Sequence, residues 1–385
     1  MKILHICAYT WAIGGPAKMI FDHTRVHAAE GHQVTILTPV SADDVIYETA
    51  PGVVVVPVPR HWFSRFFPEF SIGLWGYLRE HGNDFDLIHV HGLWHFGSVA
   101  PYLLNLKPSK LLTTHGLLDR WTIRHSYWKK QLISWAGQRK WTANTPVIHV
   151  NNQSEVDDVR RYLGHPHPHV AIIPNGLRPT EFSQLPPRGQ FRQEFGIRPD
   201  QKIILFLSRL NLKKGLDVLL PAFRRISTER SDVQLVLAGP DGGYLSTIQQ
   251  FIQQHHLEDR VLLPGMLIKE QKLAVFADAD IFTLPTYSES FAIAALEALA
   301  TGTPSLLTEH VGFGDYLRSY QAAHLCEPTE QSVYDGLNYL LDNPDKAAQL
   351  ARNAQRMIAN ECDIDVLARR LLIEYERAIS LKSAM

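Results

Sequence analysis

The sequence predicts an α/β protein built of two parallel-sheet units of similar size, and three observations predict it. Short β-rich apolar runs alternate with helical patterns along the whole chain. Most of these runs are apolar without strict alternation, the mark of parallel strands buried on both faces. The 385 residues exceed what one ordinary core holds and suit two domains.

In chain order, KILHICAY, QVTILTPV, VVVVPVP, DLIHVHG, KLLTTHG and PVIHVNN are predicted strands through about residue 152. Between them AKMIFDHTRVHAAEG, IGLWGYLREHG and SYWKKQLISWAGQRKW read as helices, the first two stopping at Gly31 and Gly82. Residues 163–190 are rich in proline and polar side chains and read as an interdomain connection. The alternation then restarts with KIILFLS, VQLVLAG, RVLLPG, DIFTLPT and TPSLLTE. The last segment, DIDVLARRLLIEYERAISL, spaces Leu and Ile as a helix does.

Composition excludes some classes of function. Lys plus Arg number 38 and Asp plus Glu 39, so net charge gives no sign of a nucleic-acid partner. Cys7, Cys326 and Cys362 are far apart and form no CxxC pair, which points to a reducing, cytoplasmic setting. The opening residues enter a strand-like run without a signal-peptide pattern. No apolar stretch approaches the ~18 residues of a membrane span, so any membrane contact is expected from the surface.

The chemistry gathers in the second half. SRLNLKKG (208–215) lies between a strand and a helix, where open α/β sheets bind ligands and helix starts favour anions. Arg209 and Lys214 add two cations there. AGPDGG, with Gly239 and Asp241, is a second strand-end turn where backbone can approach a ligand. SESFAI, with Ser290, Phe291, Ala292 and Ile293, is a third, opening a helix whose N–H groups at 291–294 are unpaired. A diphosphate fits between these cations and N–H groups. Glu297, further down that helix, then reaches two neighbouring hydroxyls, as on a ribose, and Glu289 reaches hydroxyls at the other end. Hydrogen bonds to a charged group contribute roughly 1.5–3 kcal/mol, enough to justify a buried acid. The ligand so described is a nucleotide sugar.

Arg209, Lys214, Glu289 with seven residues before Glu297, and the following EALATGTP together resemble the retaining glycosyltransferases of family 4. WAIGGPAKMI, LIHVHG, TTHG and IPNGL extend the resemblance over most of the chain. It implies a GT-B fold: two Rossmann-like doubly wound domains with a cleft between them. The implied parts are an acceptor domain at 1–172, a nucleotide-sugar donor domain at 173–362, and a helix at 363–385 packing back on the first. By the same resemblance Arg209 and Lys214 bind the donor diphosphate, Glu289 meets the donor sugar, and Glu297 meets the ribose. Gly14 and Gly15 lie near the reaction centre, His115 contacts the donor sugar, and the backbone at Met266 and Leu267 lines the base. The implied reaction is front-face transfer of a hexose-type sugar with retention. Its acceptor is a hydroxyl of a glycan or lipid-linked unit in bacterial surface-polysaccharide or exopolysaccharide synthesis. One departure is visible: the family usually has Phe-Gly where this chain has Phe291-Ala292, which narrows the room beside the donor.

Residues 120–141 carry six Arg or Lys and no acid, among them Arg120, Arg124, Lys129 and Lys130. Trp121, Trp128 and Trp135 recur every seven residues and share a helix face with Leu132. The loop RHWFSRFFPEF, with Trp62 and Phe63, is a second aromatic stretch. Both read either as packing or as acceptor contact at the inner face of the plasma membrane. His89, His91 and His95 invite a metal reading, but no carboxylate completes a site. DFD (84–86) and DAD (278–280) merely begin strands, so no metal or other cofactor is expected. The rival functions are a sugar-nucleotide epimerase on the same fold, a phosphorylase, for which no cofactor lysine is visible, and a silent nucleotide-sugar-binding protein.

Overall fold

The computed structural model describes residues 1–12, 15–124, 126–289 and 292–383, the side chain of Trp121 excepted. The apolar runs become strands whose residues are mostly buried: β1 Lys2–Ile6, β2 Gln33–Val40, β3 Val53–Pro59, β4 Leu87–His91, β5 Ser109–Thr113, β6 Val147–Val150 and β7 Val170–Ile172. A second series follows: β8 Lys202–Leu207, β9 Val233–Ala238, β10 Val261–Gly265, β11 Ile281–Leu284, β12 Ser305–Thr308 and β13 His324–Cys326. The first seven form one sheet in the order β3-β2-β1-β4-β5-β6-β7, and the others a sheet in the order β10-β9-β8-β11-β12-β13. All pairings within both sheets are parallel. The chain divides into unit 1, residues 1–175 with 364–385, and unit 2, residues 176–363. The segment expected as a plain connection, 163–190, contains the short edge strand β7, and the division falls just after it.

Each order reverses once. In unit 1 the chain builds outward from β1 through β3, then returns to lay β4 on the other side of β1. In unit 2 the same reversal falls between β8 and β11. At such a point the two flanking loops leave in opposite directions and open a crevice at the carboxyl ends of the strands.

The last helix, Ile364–Ser383, belongs to unit 1. Leu367, Leu371, Tyr375 and Ala378 pack with Ile3, Val34, Leu87, Leu111 and Val147 on one face of the sheet. Each such leucine contributes roughly 1.5–3 kcal/mol by leaving water. This face also carries a polar stripe. His5 pairs in register with His89, His91 with Thr113, and Thr113 with His149, so these side chains share one face across β1, β4, β5 and β6.

Burial holds the stripe neutral. It pulls His5 and His115 down to about 3 and His27 and His149 down to about 4, and it pushes His23, His89 and His91 well below the usual histidine range. A neutral imidazole has one donor and one acceptor nitrogen, so the hydrogen bonds fix the tautomers. His149 Nε2 faces the Ile173 carbonyl at 2.8 Å and must donate to it. His149 Nδ1 then accepts from the Thr113 hydroxyl at 2.8 Å, and that oxygen accepts from His89 Nε2 at 2.6 Å. His89 Nδ1 is left to accept from the Tyr375 hydroxyl at 2.7 Å. The final helix is thus keyed to the sheet by a hydrogen bond as well as by apolar packing.

Seven neutral histidines, six of them buried and His115 half-buried, make unit 1 acid-sensitive. The unfolded chain takes up protons below about pH 6.5, whereas the folded unit resists until pH approaches the lowered values. Stability therefore falls as pH drops through that window, by at most about 1.4 kcal/mol per pH unit per histidine. Calorimetry between pH 7.5 and 5 is expected to show the unit 1 transition moving down steeply and that of unit 2 much less. Equal acid sensitivity of the two would contradict the neutral stripe.

Candidate active site

In unit 2 the predicted site residues converge on the reversal between β8 and β11. Arg209 follows β8 and is exposed. The chain then makes a short 3₁₀ turn, Leu212–Lys214, capped by Asn211, whose side chain accepts from the Lys213 N–H at 3.0 Å. Gly215 closes the turn at φ +75°, and a Cβ there would stand 1.9 Å from the Pro285 carbonyl oxygen. Only glycine lets this turn press against the end of β11. Two hydrogen bonds fasten it there: the Tyr287 N–H and the Thr286 hydroxyl both donate to the Lys213 carbonyl, at 3.0 and 2.9 Å.

Lys214 is carried inward and buried, and its ammonium bonds the Glu289 carboxylate. Burial, with Arg209 and Lys213 close by, pulls Lys214 down to about 7; the Glu289 charge opposes that pull. Glu289 is itself fixed by its backbone, whose N–H donates to the His310 carbonyl at 2.8 Å. Ser290 and Phe291 lie outside the described residues, as does Gly14 of unit 1. Gly15 begins the helix Gly15–Ala29.

Ala292 caps the helix Ile293–Thr301 with φ +51°. This left-handed conformation costs an L-residue roughly 1–2 kcal/mol that glycine avoids, which explains why Phe-Gly is the usual family sequence. The Ala292 carbonyl accepts from Ala295 and Leu296, at 2.9 and 3.2 Å. The N–H groups of Ile293 and Ala294 have no acceptor among the described residues, and a helix start of this kind favours an anion. Glu297, 4% exposed, accepts from Lys272 at 2.7 Å through Oε1. Its Oε2 has no partner among the described residues.

Lys272 was not among the sequence-predicted residues. It sits on the helix Lys269–Asp278, and nothing in its own segment marks it as a partner of a helix 25 positions on. The second turn behaves differently from expectation in one respect. Gly239, φ +142°, is required because a Cβ would stand 1.9 Å from the Ser208 carbonyl oxygen, yet the Asp241 carboxylate is engaged locally. Its Oδ1 accepts from the N–H groups of Gly243, Tyr244 and Leu245, at 2.7, 3.1 and 3.2 Å, and these bonds hold the carboxyl below the usual range. Met266 is exposed beyond β10, while Leu267 points into the core, which leaves its backbone alone to meet a ligand.

In unit 1, His115 lies just beyond β5 with φ +50°, a strained conformation for a non-glycine residue. Glu155, also missed by sequence reasoning, holds it there from both sides. Its Oε2 accepts from the Thr114 hydroxyl at 2.7 Å and the Gly116 N–H at 3.2 Å. A second strained residue of unit 1, Glu69, pairs with the histidine four residues after β4. Glu69, φ +59°, and His95 form an ion pair at 3.2 Å. Burial opposes both charges, yet each holds the other ionised: His95 is raised and Glu69 lowered.

The aromatic segment departs from the expected continuous helix. It is broken at Ser126, φ +58°, and again at Gly137, φ +146°, because backbone at positive φ cannot continue a right-handed helix. Trp121 therefore does not share a helix with Trp128. Trp128, Leu132 and Trp135 are nonetheless 83%, 65% and 88% exposed, so they are not core residues. Arg120, Arg124 and Lys129 are exposed beside them. Lys130 is not a free surface cation: it donates to the Thr122 carbonyl and lies 4.9 Å from the centre of the Trp94 ring. Trp62, Phe63 and Phe66 form a second exposed cluster, with the Arg65 guanidinium over Trp62 and Phe66 at 5.1 and 4.8 Å.

The histidine stripe brings nitrogens of His5, His89 and His91 within 4.8 Å of one another. Hydrogen bonds already engage them: His5 with His91 at 2.9 Å, His89 with Tyr375 and Thr113. The two D-x-D matches serve backbone. Asp86 accepts from the Lys2 N–H at 2.7 Å, Asp278 from the Arg192 N–H at 2.9 Å, and Asp280 from the Ile203 N–H at 2.9 Å. No helix among the described residues is long and apolar enough to cross a membrane.

Residues 13–181 match the family described as Glycosyltransferase Family 4, and residues 187–357 match Glycosyl transferases group 1. The chain is 34% identical over 331 residues to N-acetyl-alpha-D-glucosaminyl L-malate synthase of Bacillus anthracis, covering 82% of this chain and 81% of that one. Its fold resembles that of sucrose-phosphate synthase from Thermosynechococcus elongatus, with a TM-score of 0.83 at 19% identity over 99% of both chains. It also resembles HepE of Anabaena, solved in complex with UDP-glucose, with a TM-score of 0.78 at 17% identity over 98% of this chain and 99% of that one. A likeness of this length and identity carries the family as well as the architecture: the chain belongs to the family 4 glycosyltransferases and has their GT-B fold.

Proposed function

We propose that this glycosyltransferase moves a hexose-type sugar from a UDP- or GDP-sugar to a hydroxyl of a glycan or lipid-linked acceptor, with retention and without a metal. One observation carries the donor half: Arg209 and the Lys214–Glu289 pair stand at the β8/β11 reversal of unit 2 beside the start of the helix that carries Glu297. Arg209, Lys214 and the N–H groups of Ile293 and Ala294 neutralise the diphosphate as it departs, the kind of aimed electrostatics that lowers barriers most. Glu297, held by Lys272 through one oxygen, offers the other to the ribose hydroxyls. The HepE complex with UDP-glucose supports a nucleotide-sugar ligand for this fold.

The Lys214–Glu289 ion pair gives the donor a defined task. An arriving diphosphate competes for the ammonium, and each contact it makes with Lys214 frees the Glu289 carboxylate to accept from sugar hydroxyls. His115, in its strained loop, addresses the donor sugar. With the diphosphate itself taking the proton of the incoming hydroxyl, no carboxylate nucleophile is needed.

For the acceptor, the exposed Trp128, Leu132 and Trp135 with Arg120, Arg124 and Lys129 suit an anionic lipid surface. The name of the relative from Bacillus anthracis supports a second reading, a small soluble hydroxy acid.

A thermal-shift panel of UDP-, GDP-, ADP- and TDP-sugars is expected to show one clear responder, unchanged by a chelator. Glu297→Ala is expected to weaken that donor roughly 10–100-fold, the loss of a charged hydrogen bond, while Glu289→Ala removes mostly turnover. Parental behaviour of both variants in both assays would refute the site.

Donor affinity also carries a pH signature. Below about pH 7 Lys214 is already charged; above it, binding must supply a proton. The nucleoside diphosphate Kd is expected to rise up to about tenfold per pH unit above 7, and Lys214→Met to flatten that slope in titration calorimetry. In flotation with vesicles containing anionic lipid, Trp128→Ser/Trp135→Ser is expected to lose membrane binding and keep donor binding. Equal flotation of the variant and the parent would favour the soluble acceptor.

A further inference from the structure

The histidine stripe of unit 1 contains a second chain that the packing of the last helix does not use. His5 Nδ1 stands 2.9 Å from His91 Nε2, and His91 Nδ1 stands 3.0 Å from His115 Nε2. The ring centres are 5.2 Å apart at both steps, with planes tilted by only 18° and 21°. Two imidazoles at that separation, nearly coplanar and with nitrogens in hydrogen-bond contact, lie end to end, each lone pair aimed at the next N–H. The chain crosses the β1/β4 reversal and ends at the residue in the strained loop.

Three neutral imidazoles hold three N–H groups and make two hydrogen bonds between them. One N–H is left over, and it must stand at one end or the other. At the inner end is His5 Nε2, fully buried and without a partner. At the outer end is Nδ1 of the half-buried His115, which also has no partner among the described residues. A spare N–H at His5 would be an unpaired buried donor, which native proteins almost never tolerate; a bare lone pair there is the lesser fault. The tautomers therefore run one way: His5 Nδ1–H donates to His91 Nε2, and His91 Nδ1–H donates to His115 Nε2.

We propose that His5 and His91 are positioning residues that hold His115 as its Nδ1–H tautomer, so that it meets the sugar as a hydrogen-bond donor. The use made of that donor rests on the reading of His115 as a sugar contact; the tautomer does not. In this state His115 cannot accept a hydroxyl proton, so it stabilises oxygen on the sugar rather than acting as a base. The neighbouring chain from Tyr375 through His89 cannot flip with it, because the Ile173 carbonyl pins the far end. Among the described residues His5–His91–His115 has no carbonyl at either end, and its direction is set by burial alone.

Protein carrying ¹⁵N-labelled imidazoles separates the tautomers by two-bond ¹H–¹⁵N correlation, with His115→Gln and His91→Gln assigning the signals. His149, pinned as Nε2–H, serves as the internal reference. Wild-type His115 is expected as Nδ1–H, and His91→Leu, which removes its donor, is expected to shift it toward Nε2–H. His5→Leu, which touches no substrate, is expected to lower kcat about tenfold with the nucleoside diphosphate Kd unchanged. Nε2–H in the wild type, or a His115 signal indifferent to His91→Leu, overturns the proposal, and if His91→Leu fails to fold the wild-type spectrum decides alone. The spectrum needs no substrate. An inactive wild type showing Nδ1–H therefore refutes the sugar-contact reading and leaves the tautomer standing, while an active one showing Nε2–H refutes the tautomer only.

Discussion

Everything functional in unit 2 depends on the reversal of strand order between β8 and β11. A parallel sheet needs a crossover after each strand, and where successive crossovers leave in opposite directions no helix covers the gap. Backbone at that gap ends in unpaired N–H groups and needs tight turns. Gly215 and Gly239 are where the chain meets that need, each packed so close to a neighbouring carbonyl that a methyl has no room. Glu297 and Lys272 sit on helices; Arg209, Lys214 and Glu289 sit on turns, and those of Lys214 and Glu289 are fastened by backbone hydrogen bonds. The site therefore has the stiffness of the sheet rather than that of a surface loop.

The two units solve the same problem, buried polar groups, in opposite ways. Apart from the His95–Glu69 pair, unit 1 removes the charge: the histidines of its stripe are neutral and bond to one another, to hydroxyls and to carbonyls. Unit 2 keeps the charge and pairs it, Lys214 with Glu289 and Lys272 with Glu297. A neutral network fixes direction, since each ring has one donor and one acceptor. A paired network stores exchangeable partners, since an ammonium gives up one anion for a better one. The division suits a unit that presents an oriented imidazole and another that takes in an anionic ligand.

Much of this was legible in the sequence. Eleven of the strands appear as apolar runs because burial on both faces writes itself into four or more consecutive residues. β7 and β13 span three residues each, too few to show a pattern. The Arg209, Lys214, Glu289 and Glu297 set was readable because each residue follows a strand within a recognisable motif. Lys272, Glu155 and Tyr375 were not, because their roles come from partners 25, 41 and 286 positions away. The tryptophan spacing misled in part: a period of seven implies one face only if the helix is unbroken, and Ser126 breaks it. Ala292 was noticed as a departure in side-chain volume, whereas the structure shows that its main consequence is backbone strain.

The pairing of Lys214 with Glu289 bears on how such an enzyme avoids wasting its donor. Were Glu289 free, it would accept from water or from any sugar hydroxyl; were Lys214 free and buried, it would lose its proton. Bound together, each occupies the other. A free monosaccharide offers the ammonium only neutral hydroxyls, a poor exchange for a carboxylate, whereas a diphosphate offers charge. On the proposed reading the order of events follows from the charges: phosphate contact comes first, and only then does the carboxylate turn to the sugar. Specificity for a nucleotide-linked sugar over a free one therefore needs no further contact to the nucleotide, because the ion pair already makes the phosphate a condition for reading the sugar.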